Sequence, residues 1–329
     1  MSSRRRHLSR ASSSSSSPSM EHELKVVSPS HTRVGWIGTG VMGQSMCGHI
    51  LAAGYTVFVY NRTPSKAEDL CKNGAVMLDS PQSVAQQSDV VFTIVGYPKD
   101  VEEVVLGGNG ILKGLKPKGI FVDMTTSDPT LAKRIFSAAK DSFCHAIDAP
   151  VSGGDIGARN ATLSIFAGGN EDIITSLKPL FSCLGSVHYM GGPGNGQHTK
   201  LGNQIIIAST MVGLVEGMIF ATKSGLDITL YLQAISEGFA GSKSLQLYAS
   251  RLLKRDLRPG FYVNHFVKDL GLAIEECRHM GLSLPGLLLA QQLYGSLRAH
   301  GEGDLGTQAL VLALERLNNV QLPITDGKF

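Results

Sequence analysis

The stretch VGWIGTGVMG at residues 34–43 decides the fold of this 329-residue chain. Its first residues have the composition of a buried strand, and its glycines lead into MGQSMCGHILAAG, which has the pattern of a helix. The apolar run YTVFVY then follows as a second strand. A strand, a helix and a second strand within about 30 residues form the repeating unit of a parallel sheet.

The same alternation continues to about residue 151. A helix at 65–73, the strand AVML and a helix at 81–87 precede the strand runs DVVFTIVG and GIFVDM, a helix at 129–140 and FCHAIDAPV. This order predicts an α/β fold, with a doubly wound parallel sheet over residues 32–196. Beyond it the strand-like runs stop, and glycines and prolines separate helical segments. We therefore expect an all-α domain over residues 197–329.

Residues 1–31 precede the first strand and predict a disordered leader. Residues 1–19 contain four arginines and a serine run but no acidic residue. This is the composition of an organellar transit peptide, and an ordinary disordered leader is the alternative. We expect a mitochondrial location, with plastid or cytosol as alternatives; Met20 is a possible second start.

Charge and hydropathy argue against two other classes of protein. The net charge of +3 comes from the leader, because without residues 1–19 the chain has 26 basic and 27 acidic residues, or −1. A nearly neutral body does not suit nucleic-acid binding. The longest apolar stretch, residues 205–221, is interrupted by Glu216 and falls short of the roughly 20 residues of a membrane span, so we interpret it as a buried helix.

The cysteines show no C-x-x-C spacing and are odd in number, so we expect reduced thiols and no metal site. They are Cys47, Cys71, Cys144, Cys183 and Cys277.

The glycines of GTGVMG are spaced for a dinucleotide. Gly38, Gly40 and Gly43 stand as G-x-G-x-x-G directly after a strand and at the start of a helix. In that setting the glycines permit a tight turn, close approach of a pyrophosphate and close helix packing, and the helix amides face the anion. We predict cofactor contacts from these glycines and Met42; a βα turn without a ligand is the alternative.

The end of the second strand indicates which dinucleotide is bound. An NAD enzyme usually has Asp or Glu there to bind the ribose 2′-hydroxyl, but this chain has YNRTPSK. Asn61, Arg62, Thr63 and Lys66 offer donors and positive charge that suit a 2′-phosphate. We therefore expect NADP(H) to be preferred and NAD(H) to be possible. The alternative is that Arg62 stacks on the adenine or faces solvent.

The segment DAPVSGGDIGA follows the last strand of this alternation, at the sheet edge where ligands bind. Ser152, Gly153 and Gly154 offer a hydroxyl and unobstructed backbone amides, which a small carboxylate needs. A plain turn is the alternative.

A lone lysine follows the glycine-rich segment GGPGNGQHTKLGNQ. A P-loop has its lysine directly after the second glycine, where this chain has Gln197. If a helix begins near Gln197, then Lys200, Asn203 and Gln204 share one face. One cation and two amides there can hold a small polar substrate, and the lysine can transfer a proton.

Several segments together resemble the β-hydroxyacid dehydrogenase family, from about residue 33 to the C-terminus. They are, in family order, GWIGTGVMG, DMTTSDP, DAPVSGG, GPGNGQHTKLGNQ and FVKDLGLA. The resemblance to 3-hydroxyisobutyrate dehydrogenases and semialdehyde reductases implies hydride transfer between NAD(P)(H) and a short β-hydroxyacid or semialdehyde. It also implies an N-terminal Rossmann domain followed by a helical domain, through which a homodimer or homotetramer forms. A non-catalytic dinucleotide-binding regulatory protein on the same fold is the alternative.

The resemblance implies roles for individual residues. Lys200 would be the catalytic acid/base, and Ser152, Gly153 and Gly154 would hold the substrate carboxylate. The remaining implied residues contact the cofactor: Pro98, Thr126 and Lys268. The helical pattern turns Lys268 away from the apolar stripe, which permits contact with the other domain but equally fits a solvated lysine.

The chain also departs from the family. Gln204 stands where many members have Asn, and Tyr97 stands where Leu often precedes the proline, while Glu102 replaces an Asn of some NAD-dependent members.

We expect His198 and His265 to be structural. In the oxidation direction a catalytic lysine must start neutral, which requires a pKa lowered by burial or by nearby positive charge.

Overall fold

The structure is a computed structural model that describes residues 26–326. Most of the predicted leader, including Met20, lies outside the described residues. Within them, a parallel-sheet domain is followed by a helical domain, so the predicted fold class is confirmed.

The first domain is built on a six-stranded parallel sheet. Its strands are β1 Arg33–Ile37, β2 Thr56–Tyr60, β3 Val76–Met77, β4 Val90–Thr93, β5 Ile120–Asp123 and β6 His145–Asp148. They lie in the order β3-β2-β1-β4-β5-β6, with all neighbouring pairs parallel. The central strands β4 and β5 are buried throughout, as expected for a sheet covered on both faces. The order reverses between β1 and β4, so a crevice for a ligand opens at their carboxyl ends.

Helices cover both faces of this sheet, which separates its apolar residues into two core clusters. They are α1 Gly43–Ala52, α2 Glu68–Lys72, α3 Pro81–Gln87, α4 Pro98–Leu106 and α5 Pro129–Asp141. The predicted helix at 65–73 is split, because a short 3-10 helix at Pro64–Ala67 precedes α2. Helix α4 was not predicted; it begins at Pro98, where proline suits the first helical turn.

A small second sheet follows β6 and was not predicted. It contains β7 Val151–Ser152, β8 Leu163–Ala167 and β9 Gly185–Tyr189, in that order. The short helices α6 Gly154–Arg159, α7 Glu171–Ser176 and α8 Lys178–Phe181 connect these strands. A bridge between Asp148 and Gly168 joins the second sheet to β6. The alternating α/β pattern therefore continues beyond residue 151.

The second domain is helical and has its own apolar core. Its helices are α9 Asn195–Lys223, α10 Ile228–Ser236, α11 Lys243–Leu253, α12 Val263–Met280, α13 Pro285–Ala299 and α14 Leu310–Asn318. Three breaks lie at predicted positions, near 225–227, 259–260 and 281–285: Asp227 caps α10 through its carboxylate, and Gly281 ends α12 with φ of 66°. The breaks at 237–242 and 300–306 were not predicted.

Helix α9 runs through the second domain and packs against α12, α13 and α14. By length and composition it could cross a membrane, a test that the core helix of a soluble protein also passes. Its inward residues, including Met211, Val215 and Met218, are fully buried in the domain core. The expected buried helix is therefore present, although Ile206 and Phe220 on its outer side are exposed. All five cysteines are free, as predicted.

Candidate active site

The dinucleotide loop between β1 and α1 is shaped as its glycines predict. A Cβ added to Gly38, whose φ is 96°, would lie 2.2 Å from the carbonyl oxygen of Ile94, and one added to Gly43 would lie 2.1 Å from that of Gly38. These contacts exclude side chains at both positions. A Cβ on Gly40 would meet nothing within 4 Å. The second glycine therefore faces open space at the start of α1, as a site for a pyrophosphate requires.

The loop is tied to the end of β2. The backbone N–H of Thr39 donates to Oδ1 of Asn61 at 2.9 Å, and Nδ2 of Asn61 donates to the carbonyl of Thr63 at 2.8 Å. In the described part of the chain, the buried hydroxyl of Thr39 has no hydrogen-bond partner. Met42 lies half-buried directly before α1. An unpaired hydroxyl beside the helix amides fits the binding of an anion.

Arg62 stands at the outer edge of this loop. Its side chain is 83% exposed, and its Nη1 lies 3.4 Å from Oδ1 of Asp100 in α4. The other oxygen of Asp100 accepts a hydrogen bond from the backbone N–H of Tyr97. Because the guanidinium is largely in solvent and its contact with the mostly buried Asp100 is long, it can turn to a ligand phosphate. The sequence did not indicate this contact with Asp100.

The opposite side of the crevice brings the two domains together. The ammonium of Lys268 in α12 donates a hydrogen bond to the carbonyl of Thr126, in the loop after β5. Its side chain is only 12% exposed. The alternative of a solvated lysine is therefore wrong, and the interdomain contact that the helical pattern permitted is present.

Lys200 lies in the second turn of α9 and is buried. Burial lowers its pKa to about 8, while the carboxylate of Asp269 opposes the change and the ammonium of Lys268 adds to it. Its Nζ forms no hydrogen bond with any residue between 26 and 326. The side chain is therefore a buried amine that can gain or lose a proton near neutral pH.

The SGG segment lies against the same face of α9. Oγ of Ser152, at the end of β7, lies 3.5 Å from Oδ1 of Asn203. Gly153 and Gly154 have φ values of 133° and 62°, and a Cβ on Gly154 would meet nothing within 4 Å. Both φ values favour glycine, and Gly153 is exposed while Gly154 is half-buried. The structure thus brings the Ser152 hydroxyl, the backbone of the two glycines and the Asn203 amide to one place.

Gln204 connects α9 to a carboxylate that the sequence reasoning did not select. Its Oε1 accepts a hydrogen bond from Nδ2 of Asn203 at 3.0 Å, and its Nε2 donates to Oδ2 of Asp269 at 2.5 Å. Asp269 is fully buried, and its Oδ1 lies 2.9 Å from the ammonium of Lys268. In the sequence, the only sign of this residue is its place directly after Lys268 in FVKDLGLA.

The two histidines near these motifs make structural contacts. Nε2 of His198 pairs with Glu276 at 2.9 Å. His265 stacks on Tyr97 with ring centroids 5.5 Å apart, and burial lowers its pKa. The His198 contact joins α9 to α12 within the helical domain, and the His265 contact joins α12 to the first domain.

Two family models match the chain in succession. Residues 33–192 match the NAD binding domain of 6-phosphogluconate dehydrogenase. Residues 194–314 match the family described as NAD-binding of NADP-dependent 3-hydroxyisobutyrate dehydrogenase.

Relatives and a solved structure match over most of the chain. The probable 3-hydroxyisobutyrate dehydrogenase-like 1, mitochondrial, of Arabidopsis thaliana is 64% identical over 92% of this chain and 91% of its own length. The 2-hydroxy-3-oxopropionate reductase of Escherichia coli is 39% identical over 88% of this chain and 99% of its own. The structure of Mycobacterium tuberculosis 3-hydroxyisobutyrate dehydrogenase with L-serine is similar at a TM-score of 0.78 and 26% identity, over 86% and 99% of the two chains.

Proposed function

The chain belongs to the β-hydroxyacid dehydrogenase family and is an NAD(P)-dependent dehydrogenase or reductase, and from this premise we propose which groups carry its reaction. The substrate is a short β-hydroxyacid or the corresponding semialdehyde, and Lys200 is the acid/base. Residues 32–196 bind the cofactor, and residues 197–329 complete the substrate site and mediate assembly.

The substrate carboxylate binds at the SGG segment. The hydroxyl of Ser152 and the backbone amides of Gly153 and Gly154 supply the donors, and Asn203 closes the site from α9; the contact between Ser152 and Asn203 supports this arrangement. A carboxylate held by backbone amides needs no arginine, and none was predicted for this site. This arrangement admits short acids whose reactive carbon lies a few bonds from the carboxylate.

Lys200 transfers the proton. When bound, the nicotinamide supplies the hydride for reduction or accepts it in oxidation. The ammonium of Lys200 stabilises charge on the carbonyl oxygen and gives it a proton, and the neutral amine takes the proton back in oxidation. Gln204, held by Asp269, orients the substrate from the next turn of α9.

NADP(H) is the preferred cofactor and NAD(H) is a possible one. The predicted residues at the end of β2 include no carboxylate that would repel a 2′-phosphate. Asn61 braces the glycine loop, Arg62 exchanges its contact with Asp100 for the phosphate, and Lys66 adds positive charge. Pro98, Thr126 and Lys268 contact the cofactor from the other side, and the hydrogen bond from Lys268 to the Thr126 carbonyl supports this for two of them.

The working form is a homodimer or homotetramer assembled through the helical domain. Ile206, Gly213 and Phe220 recur every seven residues along α9 and are exposed in the single chain, as is Leu230 of α10. Large exposed apolar side chains along one helix are typical of a surface that a partner covers.

The enzyme acts in mitochondria. The arginine-rich, acid-free N-terminus and the name of the Arabidopsis relative, which is described as mitochondrial, support this location. Mitochondrial import of a reporter fused to residues 1–31, with the reporter alone as the control, tests it. A cytosolic or plastid fusion would overturn it.

The burial of Lys200 beside the Ser152–Asn203 contact is the observation that carries the proposal. The test is turnover of glyoxylate and of succinic, tartronate and methylmalonate semialdehydes with NADPH and NADH. Lys200→Ala should reduce kcat by about 100-fold or more while NADPH still binds. Lys223→Ala, at the exposed end of α9, is the control. Turnover near that of the wild type in Lys200→Ala would show that Lys200 is not the acid/base.

A further inference from the structure

The amino end of α9 is held by a carboxylate from the first domain. Oδ1 of Asp148, the last residue of β6, accepts the backbone N–H of Gly194 at 2.8 Å, and its Oδ2 accepts that of Gln197 at 2.9 Å. Asp148 therefore does for α9 what a helix-capping residue does, but from another element. Gly194 and Gln197 lie 46 and 49 residues after Asp148 in the sequence.

Gln197 makes a second attachment at the same place. Its side chain is fully buried, its Oε1 accepts the backbone N–H of Ser127 at 2.8 Å, and its Nε2 donates to the carbonyl of Thr125 at 2.8 Å. The amide thus satisfies one donor and one acceptor on either side of Thr126. Since buried backbone groups rarely stay unpaired, this attachment fixes the loop at residues 125–127 firmly to α9.

The backbone of α9 also touches the sheet directly. A Cβ on Gly196 would lie 2.3 Å from the carbonyl oxygen of Phe166 and 2.5 Å from that of Asp148. No residue with a side chain fits there without moving backbone. The first turn of α9 therefore has little freedom to shift against β6 and β8.

Lys200 lies one helical turn beyond Gln197 in α9. The loop that Gln197 binds contains Thr126, whose carbonyl accepts a hydrogen bond from Lys268. One buried amide thus joins the helix of the proton donor to a loop at the cofactor crevice. We propose that Gln197, supported by Asp148, is a positioning residue that holds Lys200 at a fixed distance from the cofactor. This inference rests on the acid/base role proposed above for Lys200.

The fixed distance matters because hydride and proton must reach neighbouring atoms of one carbonyl group. A displacement of about 1 Å between reacting groups can lower a rate about 100-fold without loss of binding. Lys200 itself forms no hydrogen bond within the described residues, so its place depends on the backbone of α9. Gln197 and Asp148 are the side chains that fix the first turn of that backbone to the sheet edge.

The test compares two fully buried glutamines. Gln308 in the helical domain also uses its side-chain amide to hold backbone, donating to the carbonyls of Asp256 and Arg258. We expect Gln197→Met to lower kcat about 100-fold, to change the Kd for NADPH by no more than about threefold, and to raise the isotope effect with NADPH deuterated at the transferred hydrogen. Gln308→Met should lower thermal stability but leave kcat, the Kd for NADPH and the isotope effect unchanged.

Two results would overturn the proposal. One is a Gln197→Met enzyme with kcat within about twofold of the wild type, and the other is a loss of kcat in both variants that follows only the loss of folded protein. If Gln197→Met does not fold, Asp148→Asn replaces it, with Asp227→Asn as the control, because Asp227 caps α10 through two backbone N–H groups. Unchanged kcat and isotope effect in Asp148→Asn would likewise overturn it.

The same experiments separate this proposal from the one it rests on. If Lys200→Ala is inactive while Gln197→Met is fully active, only the positioning role fails. If Lys200→Ala is active, the acid/base role fails first, and Gln197 then has no proton donor to position.

Discussion

Nε2 of Gln204 in α9 donates a 2.5 Å hydrogen bond to Oδ2 of Asp269 in α12, inside the helical domain. The carboxylate of Asp269 is fully buried and raises the pKa of Lys200, partly offsetting the larger effect of burial. The two helices therefore share one electrostatic site, in which a change on α12 alters the proton affinity of a lysine on α9.

Replacing Asp269 by Asn should move the titration of Lys200 to lower pH. A negative charge favours the ammonium form, so its removal leaves burial and Lys268 to lower the pKa further. The pH profile of kcat/KM for reduction should then begin to fall at lower pH than in the wild type. Glu275→Gln, an exposed change on the same helix, should leave the profile in place. A profile unchanged in Asp269→Asn would contradict the coupling.

The two directions of the reaction should respond to pH in opposite ways. Reduction needs the ammonium of Lys200, so its kcat/KM should fall as pH rises through about 8. Oxidation needs the neutral amine, so its kcat/KM should rise through the same pH. Lys200→Arg should be slow and show neither inflection, because a guanidinium stays charged. The same slope in both directions would exclude Lys200 as the titrating group.

Arg62 should decide between the two dinucleotides. Arg62→Ala removes a charged donor from the 2′-phosphate, so kcat/KM with NADPH should fall about 10- to 100-fold. The value with NADH should change little, because NADH has only a hydroxyl there. Arg278→Ala, another exposed arginine in an ion pair, is the control. Equal losses with both cofactors would mean that Arg62 contacts the adenine or merely supports the loop.

The sequence predicts the large sheet because its strands are apolar runs between clear helices. Val90–Thr93 and Ile120–Asp123 lie where the runs DVVFTIVG and GIFVDM predict them. The second sheet escapes the same reasoning since β7 has two residues and α8 has four, too short for a period to appear. Helix α4 is hidden because most of its first turn is polar, and its apolar residues Val101 and Val105 find their partners only in the folded core.

The candidate site is predictable where its residues are neighbours in sequence. Lys200, Asn203 and Gln204 share a helical face, so their spacing alone places them together. Asp269 lies 65 residues from its partner Gln204, and no local pattern reports such a contact. The roles of Lys200, the SGG segment and the cofactor residues remain predictions that the mutants above address.

The exposed side of α9 should be an interface between copies of the chain. Phe220→Glu places a charge where an apolar side chain is 71% exposed in the single chain, so burying it against a partner becomes costly. We expect this variant to dissociate to monomers by size-exclusion chromatography with light scattering. Phe143→Glu, at a 78% exposed position in the first domain, should leave the assembly intact. An unchanged mass for Phe220→Glu would place the interface elsewhere.

Gly40 and Gly43 should separate cofactor binding from folding, although they stand three residues apart in one loop. A methyl group on Gly43 would lie 2.1 Å from the carbonyl oxygen of Gly38, so Gly43→Ala must displace backbone and should lower the free energy of unfolding by about 3 kcal/mol. A methyl group on Gly40 meets no atom of the protein, so Gly40→Ala should unfold at the wild-type temperature. It should nevertheless weaken NADPH binding measured by fluorescence, because the methyl group enters the space that the pyrophosphate needs. If Gly40→Ala binds NADPH as tightly as the wild type, the pyrophosphate lies elsewhere, and the open space above this glycine has another use.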